Sequence, residues 1–339
     1  MSEKAKNIVS CCVKVLGVVL AVWLLRHTIE CTDGDFIASL KTASVPFLIS
    51  AIVCYGVVNL ITAWRWGQLL DVQGIHLTFW ELFRLNMIGV FFSNVIPGSV
   101  SGDVVKFAYV VGKAPHRKTE CALSMLVDRL IGLSAMLLVA AISAVFAGIA
   151  YPDIVWGNHL VCTSVIVVFC LIAIDILLIV GIVLRKQIFR IAVLRRGVRL
   201  IGRHSPKSLK AFIMKLVHAV DLYKDNPKSC LYVLLASMGV HLLLAVQNCL
   251  IGKAFHEHVM TPLQYVITTQ LGNITGVLPL TPGGIGLRDT MTAKLFAFFG
   301  AEPADVLGLI PVCYSIDMVL WGLFGAALLV FTRDRRKVE

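Results

Sequence analysis

Apolar runs of about twenty residues recur along this sequence, and each is long enough to cross a lipid bilayer as a helix. Backbone N–H and C=O groups in lipid must be hydrogen-bonded within the protein, which only helices and closed β-barrels achieve. The polar-inward alternation of a barrel is absent here, so helices remain. Only 15% of the residues are charged, well below the usual share in a soluble domain. The sequence therefore predicts an all-α integral membrane protein, with a single polytopic domain over residues 1–339. Its six predicted spanning helices lie at residues 8–25, 45–63, 120–149, 158–184, 229–252 and 304–331.

Basic residues predict which side of the membrane each loop occupies. Residues 185–228 contain twelve Lys and Arg against two Asp, and apolar residues interrupt these charges at helical spacing. Such a segment is typical of amphipathic helices on an anionic cytoplasmic leaflet, so no nucleic-acid partner is expected. The positive-inside rule then places the N-terminal lysines and the basic tail 332–339 in the cytoplasm. We expect a multi-pass protein of the cell inner (cytoplasmic) membrane with both termini cytoplasmic.

The N-terminal run and the cysteines are interpreted as structural features. The run follows Lys4 and Lys6 as in a signal peptide, but no small-residue cleavage pattern follows it. Residues 1–44 therefore predict an uncleaved first helix and an outer loop. The ten cysteines form no CxxC pair and are interpreted as small buried hydrophobic residues. No metal and no cofactor are predicted.

Two further apolar stretches, residues 76–112 and 263–299, are interrupted in the middle by proline and glycine. Proline removes a backbone donor and glycine permits a sharp reversal, so each stretch predicts two half-helices joined by a turn. Counting each stretch as a full crossing would place basic residues outside. We therefore predict two re-entrant hairpins, the first entering from the cytoplasm and the second from outside. The turns read Pro97-Gly98-Ser99-Val100-Ser101 and Pro282-Gly283-Gly284-Ile285-Gly286.

The surroundings of the two hairpins predict an inverted repeat. Residues 45–149 and 229–331 each read as helix, hairpin, helix, and the helix 158–184 joins them through the basic segment. Broken helices at matching places in inverted repeats are a recurring feature of secondary transporters, with the binding site near the membrane midplane. The second half-helix of each hairpin would point its positive dipole end toward that midplane, which suits an anion such as phosphate. The alternative is that the turns only allow close helix packing.

Ionisable and polar residues in these segments are the candidate site, because charges in a membrane are costly and usually functional or paired. Arg65 is instead interpreted as an anchor at the membrane interface, and Asp175, His241 and Asp317 as isolated polar residues. No catalytic residue is predicted. The candidate substrate-binding residues are Asn94, Pro97, Gly98, Ser99, Ser101, Gly102, Asp103, Lys106, Asp128, Arg129, Thr281, Pro282, Gly283, Gly284, Gly286, Arg288 and Asp289.

Several short motifs together resemble a known family. They are Arg65-Trp66 with Leu69-Leu70, Asn94 to Pro97-Gly98 with Gly102-Asp103 and Lys106, Asp128-Arg129-Leu130, and Leu278-Pro279 to Gly286 with Arg288-Asp289. This combination, which covers nearly the whole chain, is similar to the lysylphosphatidylglycerol synthase transmembrane, or flippase-like, family. The resemblance implies a membrane domain that moves lipids between leaflets. Members with two activities carry a soluble aminoacyl transferase domain, and we expect this chain to be a stand-alone membrane domain without it.

The chain departs from the family pattern at a few positions. Asp103 and Asp128 stand where Glu is common, and Lys106 stands where Arg is common. Ser315 stands where an Arg often appears, which puts a phosphate contact at that position in doubt here.

These features lead to one main hypothesis and two alternatives. The main hypothesis is a flippase-like transporter for an anionic, aminoacylated or polyprenyl-phosphate-linked lipid, with membrane lipids as partners and a possible homo-oligomer or separate lipid-modifying enzyme. The first alternative is an intramembrane transferase, or a membrane subunit of one, that acts on lipid-linked sugar through Asp103 or Asp128. No catalytic motif supports it, so the chain is not expected to be an enzyme. The second alternative, a scaffold that recruits partners, predicts tolerance of substitution at both Pro-Gly turns.

Overall fold

The computed structural model describes residues 23, 26, 36–96, 101–183, 221–278, 280–302 and 307–335, and this part of the chain is built from helices and loops without strands. The predicted helix 8–25, except for Trp23, lies outside the described residues. So do residue 184 of the helix 158–184, residues 185–220 of the basic segment and residues 97–100 of the first turn.

The helices follow one another with short connections. In chain order they are α1 (Phe36–Thr42), α2 (Val45–Val72), α3 (Phe79–Val95), α4 (Ser101–Lys113), α5 (Lys118–Ala150), α6 (Pro152–Gly157), α7 (His159–Val183), α8 (Pro227–Ala254), α9 (Pro262–Gly276), α10 (Leu287–Phe298) and α11 (Leu309–Arg335). Proline in the first turn begins several of them, because its missing N–H is unbonded there anyway.

Within the described residues, five helices are long and apolar enough to cross a membrane: α2, α5, α7, α8 and α11. The predicted all-α membrane class is confirmed. Helix α2 extends nine residues beyond the predicted end at residue 63. Its last turns are no longer apolar throughout, but Trp66, Leu69 and Leu70 are buried against the protein. Tertiary packing thus continues a helix whose sequence suggests an earlier end.

Both interrupted stretches contain two helices, as predicted. In the first, α3 and α4 run antiparallel, since Glu81 pairs with Lys113 near the open end and the Asn86 Oδ1 accepts from the Lys106 Nζ at 3.0 Å further in. In the second, α9 and α10 run antiparallel, with the rings of Tyr265 and Phe296 at 5.6 Å between centroids. We call these pairs the first hairpin and the second hairpin.

The two halves of the chain pack on each other reciprocally. Helix α11 lies along α3 of the first hairpin, while α5, which holds the same place in the other half, lies along α9 of the second hairpin. Helices α2 and α8 pack against each other along much of their length. Their contacts join Ser44 to Ala254, Cys54 to Leu243 and Arg65 to Ser237, so these matching helices run antiparallel. This is the packing that two inverted units related by a twofold axis would produce.

Helix α7 lies at the edge of the bundle. Val161, Val165 and Val168 are its buried residues, and most of its remaining large apolar side chains are exposed. An exposed apolar surface of this extent suits a helix that faces lipid. Its three buried valines join the main core, most of which lies among α2, α5, α8, α9, α10 and α11.

Candidate functional site

Three charged side chains meet at the beginning of α4. The Arg129 Nε lies 2.6 Å from the Asp103 Oδ2, and the Lys106 Nζ lies 3.7 Å from the Asp103 Oδ1. Asp103 sits in the first turn of α4, where a carboxylate also interacts favourably with the helix dipole. The carboxylate thus holds two bases from two elements, α4 and α5.

A second ion pair adjoins this group. The Arg65 Nε lies 2.9 Å from the Asp128 Oδ1, and the Arg65 Nη2 donates to the Asp128 Oδ2 at 3.1 Å. The Arg65 Nη1 donates to the Ser237 hydroxyl at 2.7 Å. Only 11% of the Arg65 side chain is exposed, so the interpretation of Arg65 as an interfacial anchor is wrong. A buried guanidinium requires a carboxylate partner, and Asp128 supplies it.

We call these five residues, Arg65, Asp103, Lys106, Asp128 and Arg129, the first charge cluster. Three bases against two acids leave the cluster with a net charge of +1. Arg129 is 47% exposed at its side chain, whereas the other four side chains are at most 18% exposed. The cluster therefore offers one accessible base, Arg129, beside four largely buried side chains whose charges cancel.

Neutral groups orient Lys106 within the cluster. Its ammonium donates to Asn86 and lies 5.4 Å from the ring centroid of Trp66, a cation–π distance. Asn86 in turn donates to Asn59 of α2 at 3.2 Å. Gly89 and Gly102 let α3 and α4 approach closely at this level, because a methyl group on Gly102 would overlap the Gly89 backbone.

The second hairpin carries a matching but more deeply buried group, which we call the second charge cluster: Arg288, Asp289 and Ser315. The Arg288 Nη2 donates to the Asp289 Oδ1 at 2.9 Å, and the Ser315 hydroxyl donates to the Asp289 Oδ2 at 2.6 Å. Arg288 also donates to Ser315. The Arg288 guanidinium lies 4.2 Å from the Tyr314 ring centroid. Ser315, the departure from the family pattern, thus completes a buried network with Arg288 and Asp289.

The N-terminus of α10 is already bonded by a protein carboxylate. The Gly286 N–H donates to the Asp289 Oδ2 at 2.9 Å, and Asp289 is fully buried. Gly286 has a φ of +86°, a conformation that favours glycine. The expectation that the N–H groups of this half-helix are open to a ligand is therefore wrong for Gly286. The Asp289 carboxylate occupies the position where the dipole of α10 would attract an anion.

The two hairpins meet beside α11. The Asn94 Nδ2 donates to the Met318 carbonyl at 2.8 Å, while the Arg288 Nη1 donates to the Met318 Sδ at 2.9 Å. Gly283 lies against both Asn94 and Met318, since a methyl group on it would come within 3.1 Å of the Asn94 Oδ1. That oxygen is buried and finds no hydrogen-bond partner among the described residues. The predicted turn of the second hairpin thus contacts the inner end of the first.

The remaining predicted residues have varied environments. Ser101 donates to the carbonyls of Phe92 and Ile96, which ties α4 back to α3. Thr281 and Pro282 are buried, as is Gly284, which packs against the backbone of Gly276. Pro97, Gly98 and Ser99 lie outside the described residues.

Sequence reasoning missed several participants. Arg65 and Asn59 lie on α2, whose polar residues were not assigned to the site, Asn86 lies on α3, where only Asn94 was assigned, and Tyr314 carries no charge. The sequence did contain a signal for Arg65. It is a basic residue in one long helix, α2, and a second long helix, α5, carries an acidic residue, Asp128, that can pair with it. A buried pair of this kind is expected whenever two membrane helices each carry one opposite charge.

Outside the spanning helices, one carboxyl group has a shifted pKa. The Lys113 ammonium hydrogen-bonds to Glu81 and, together with the Thr78 backbone N–H, lowers the pKa of that carboxyl from its usual value. Glu81 also completes a capping box with Thr78 at the start of α3. This contact fastens the open end of the first hairpin.

Comparison with known proteins gives a match over nearly the whole chain. The family model described as the lysylphosphatidylglycerol synthase TM region matches residues 12–331. A UPF0104 membrane protein of Methanothermobacter thermautotrophicus is 22% identical over 279 residues, which cover 79% of this chain and 78% of that protein. A UPF0104 membrane protein of Pyrococcus horikoshii is 21% identical over 337 residues, which cover 94% of this chain and 96% of that protein.

Proposed function

The chain belongs to the lysylphosphatidylglycerol synthase transmembrane family, and on that premise we propose that it is a flippase-like lipid transporter. Its cargo would be an anionic, aminoacylated or polyprenyl-phosphate-linked lipid that moves between the two leaflets. Acyl or prenyl chains would stay in the bilayer, so only the head group requires a polar route. The chain is a multi-pass membrane protein related to proteins of lipid synthesis, and the transport activity is our proposal.

One observation carries the proposal: the first charge cluster has a net charge of +1 and exposes only one of its bases. A phosphodiester carries one negative charge, and a guanidinium is well suited to bind it through two parallel hydrogen bonds. Arg129 is the residue that can make this contact without first breaking into the buried part of the cluster. Lys106 and Arg65, behind it, balance the charges of Asp103 and Asp128, which leaves the charge of Arg129 uncompensated.

The acids have a positioning role in this proposal. Asp103 holds Arg129 and Lys106, and Asp128 holds Arg65, so the three bases are kept in position in the absence of lipid. A phosphate that binds Arg129 competes with Asp103 for the same guanidinium. That competition keeps binding reversible, as a transporter requires.

The location and partners are also proposals. We place the chain in the cytoplasmic membrane with both termini inside, on the basis of the basic segment 185–228 and the basic tail. Its partners would be membrane lipids, with a homo-oligomer or a separate lipid-modifying enzyme as further possibilities. An enzyme that adds an amino acid or a sugar to a lipid would supply cargo of the right chemistry.

The experiment is a lipid exchange assay in proteoliposomes of phosphatidylcholine and phosphatidylglycerol. Fluorescently labelled phosphatidylglycerol is the probe, and a membrane-impermeant quencher reports the fraction in the outer leaflet. Arg129→Ala should slow exchange at least about tenfold, because a hydrogen bond to a charged group is worth ~1.5–3 kcal/mol. Lys253→Ala removes an exposed base at the end of α8 and serves as the matched control.

Recovery of the probe chemically unchanged separates transport from the transferase alternative. Equal exchange rates in wild type, Arg129→Ala and protein-free vesicles would reject the proposal. A wild-type rate in Arg129→Ala, with exchange well above that of empty vesicles, would remove the first charge cluster from the mechanism.

A further inference from the structure

Asp317 is a buried carboxyl group in the membrane-spanning helix α11, two residues beyond Ser315 of the second charge cluster. It is 6% exposed. Among the described residues, no Lys, Arg or His lies within ion-pair distance of it, in contrast to Asp103, Asp128 and Asp289. Eight residues separate it from the start of α11, which corresponds to about 12 Å along the helix axis. A charged carboxylate there would be costly because nothing neutralises it.

The partner of Asp317 is a single amide. The Gln247 Nε2 of α8 donates to the Asp317 Oδ2 at 2.7 Å, and Gln247 is fully buried. The Gln247 Oε1 is also buried and has no hydrogen-bond donor among the described residues. A carboxylate cannot supply that donor, since it only accepts hydrogen bonds, whereas a protonated carboxyl group can. An amide and a carboxylic acid that face each other then exchange two hydrogen bonds.

The groups that face Asp317 favour this neutral form. Cys54 and Tyr55 approach from α2, and Cys313 and Tyr314 lie near it on α11, all within electrostatic reach of its carboxyl group. Besides α2 and α8, helices α10 and α3 pack on α11. The charged residues of α10 on this side are Arg288 and Asp289, which pair with each other, and α3 contributes the uncharged Asn94.

Asp317 is also connected to the second charge cluster. Tyr314 lies under the Arg288 guanidinium, and the rings of Tyr314 and Tyr55 are 6.3 Å apart between centroids. Both tyrosines lie within reach of Arg288 and of Asp317. A change of charge at Asp317 therefore alters the field at the point where the two hairpins meet.

From these contacts we infer that Asp317 and Gln247 form a proton-binding site in the core of the membrane domain. A proton from water adds to the carboxylate and later returns to water, and no other bond changes. The role of this site would be to couple lipid movement to a pH difference, and that role rests on the proposed function. The site itself is defined by the unpaired carboxyl group and the unmatched amide oxygen.

The first test examines protonation directly and requires no transport. Infrared spectra of purified protein in lipid nanodiscs are recorded as a function of pH, with Asp317→Asn and Asp175→Asn as variants. Asparagine at 317 can donate to the Gln247 Oε1 and accept from its Nε2, so this variant should fold. Asp175 lies on the peripheral helix α7 and is the matched control. We expect a carbonyl band of a protonated carboxyl group that titrates in wild type and Asp175→Asn and is missing in Asp317→Asn. Absence of that band from wild type overturns the inference.

The second test examines coupling in the proteoliposomes described above, with labelled phosphatidylglycerol as probe. One proton moved with each lipid would let a pH difference of one unit shift the leaflet ratio of the probe about tenfold. Wild type and Asp175→Asn should show this shift, and Asp317→Asn should not. The same shift in Asp317→Asn, or a response to a sodium difference instead, overturns coupling through Asp317. If no sample moves lipid, the proposed function fails, and the infrared titration alone then decides whether Asp317 binds a proton.

Discussion

At the scale of single residues, the charged groups of this protein are explained by their partners. Arg65 and Asp128 come from two helices and neutralise each other where neither could remain alone. Removal of one member leaves the other buried and unpaired, which is more damaging than removal of both.

The ion pair predicts a specific pattern of stability. Arg65→Ala should lower the free energy of unfolding by about 3 kcal/mol, because Asp128 then lacks its guanidinium partner. The double variant Arg65→Met with Asp128→Leu should recover most of this loss. Thermal unfolding in detergent measures both. Equal destabilisation by the single and the double variant would show that the loss does not come from an unpaired Asp128 carboxylate.

Ser315 provides a second prediction at this scale. Ser315→Ala removes the hydroxyl that donates to Asp289 and accepts from Arg288 inside the core. We expect a loss of ~1–3 kcal/mol, the cost of leaving a buried polar group unbonded. Ser164→Ala is the control, since that hydroxyl bonds only to the carbonyl of Leu160 in its own helix. A thermal melt of Ser315→Ala that superimposes on the control would contradict the network.

At the scale of elements, the first hairpin depends on close backbone contact. Gly102→Ala should destabilise the protein by ~1–3 kcal/mol, because the added methyl group meets the Gly89 carbonyl and the backbone must move. Gly112→Ala lies on the same helix with no atom within 4 Å of the added group, so it should be neutral or stabilising. Unfolding midpoints of the two variants are compared directly, and indistinguishable midpoints would contradict the close packing.

The open end of the same hairpin is sensitive to pH. Because Lys113 lowers the folded-state pKa of Glu81, the pair contributes stability above the unfolded pKa of this carboxyl and loses it as the pH falls through the folded value. The hydrogen-exchange protection factors at residues 79–84, which correct for the intrinsic pH dependence of amide exchange, should therefore fall in acid. Glu81→Gln keeps the capping group but removes the charge, so its protection factors should lose this dependence on pH. An unchanged pH profile in the variant would assign the effect to another group.

At the scale of the whole molecule, the antiparallel packing of α2 and α8 agrees with two inverted units. The open ends of the two hairpins should then lie on opposite sides of the membrane. Exposed positions near these ends are Lys113 and His258.

Cysteine labelling tests this arrangement. In a background without native cysteines, Lys113→Cys should react with a membrane-impermeant maleimide only from the cytoplasmic side, and His258→Cys only from outside. Labelling of both positions from one side would reject the inverted repeat and, with it, the two-sided access that the proposed transporter requires.

Much of the architecture could be predicted from local patterns. Length and hydropathy located the five described spans, and proline with glycine located the breaks in both hairpins. The predicted helix ends were less accurate where side chains are buried against the protein and do not face lipid, as at the end of α2. Local sequence cannot indicate such an extension, because the side chains that bury Trp66 and Leu70 are distant in the chain.

The sequence alone determined the membrane class, the helical content and the family, because each depends on the order and kind of neighbouring residues. Only the tertiary structure decided which charges pair. Asp103 could meet Lys106 one turn away, but its contact with Arg129 and the contact of Arg65 with Asp128 join different helices, across 26 and 63 residues of sequence. The capped N-terminus of α10 and the lone carboxyl of Asp317 were likewise decided by packing. Coulomb interactions depend on distance in space, and spacing along the chain fixes that distance only within a helix.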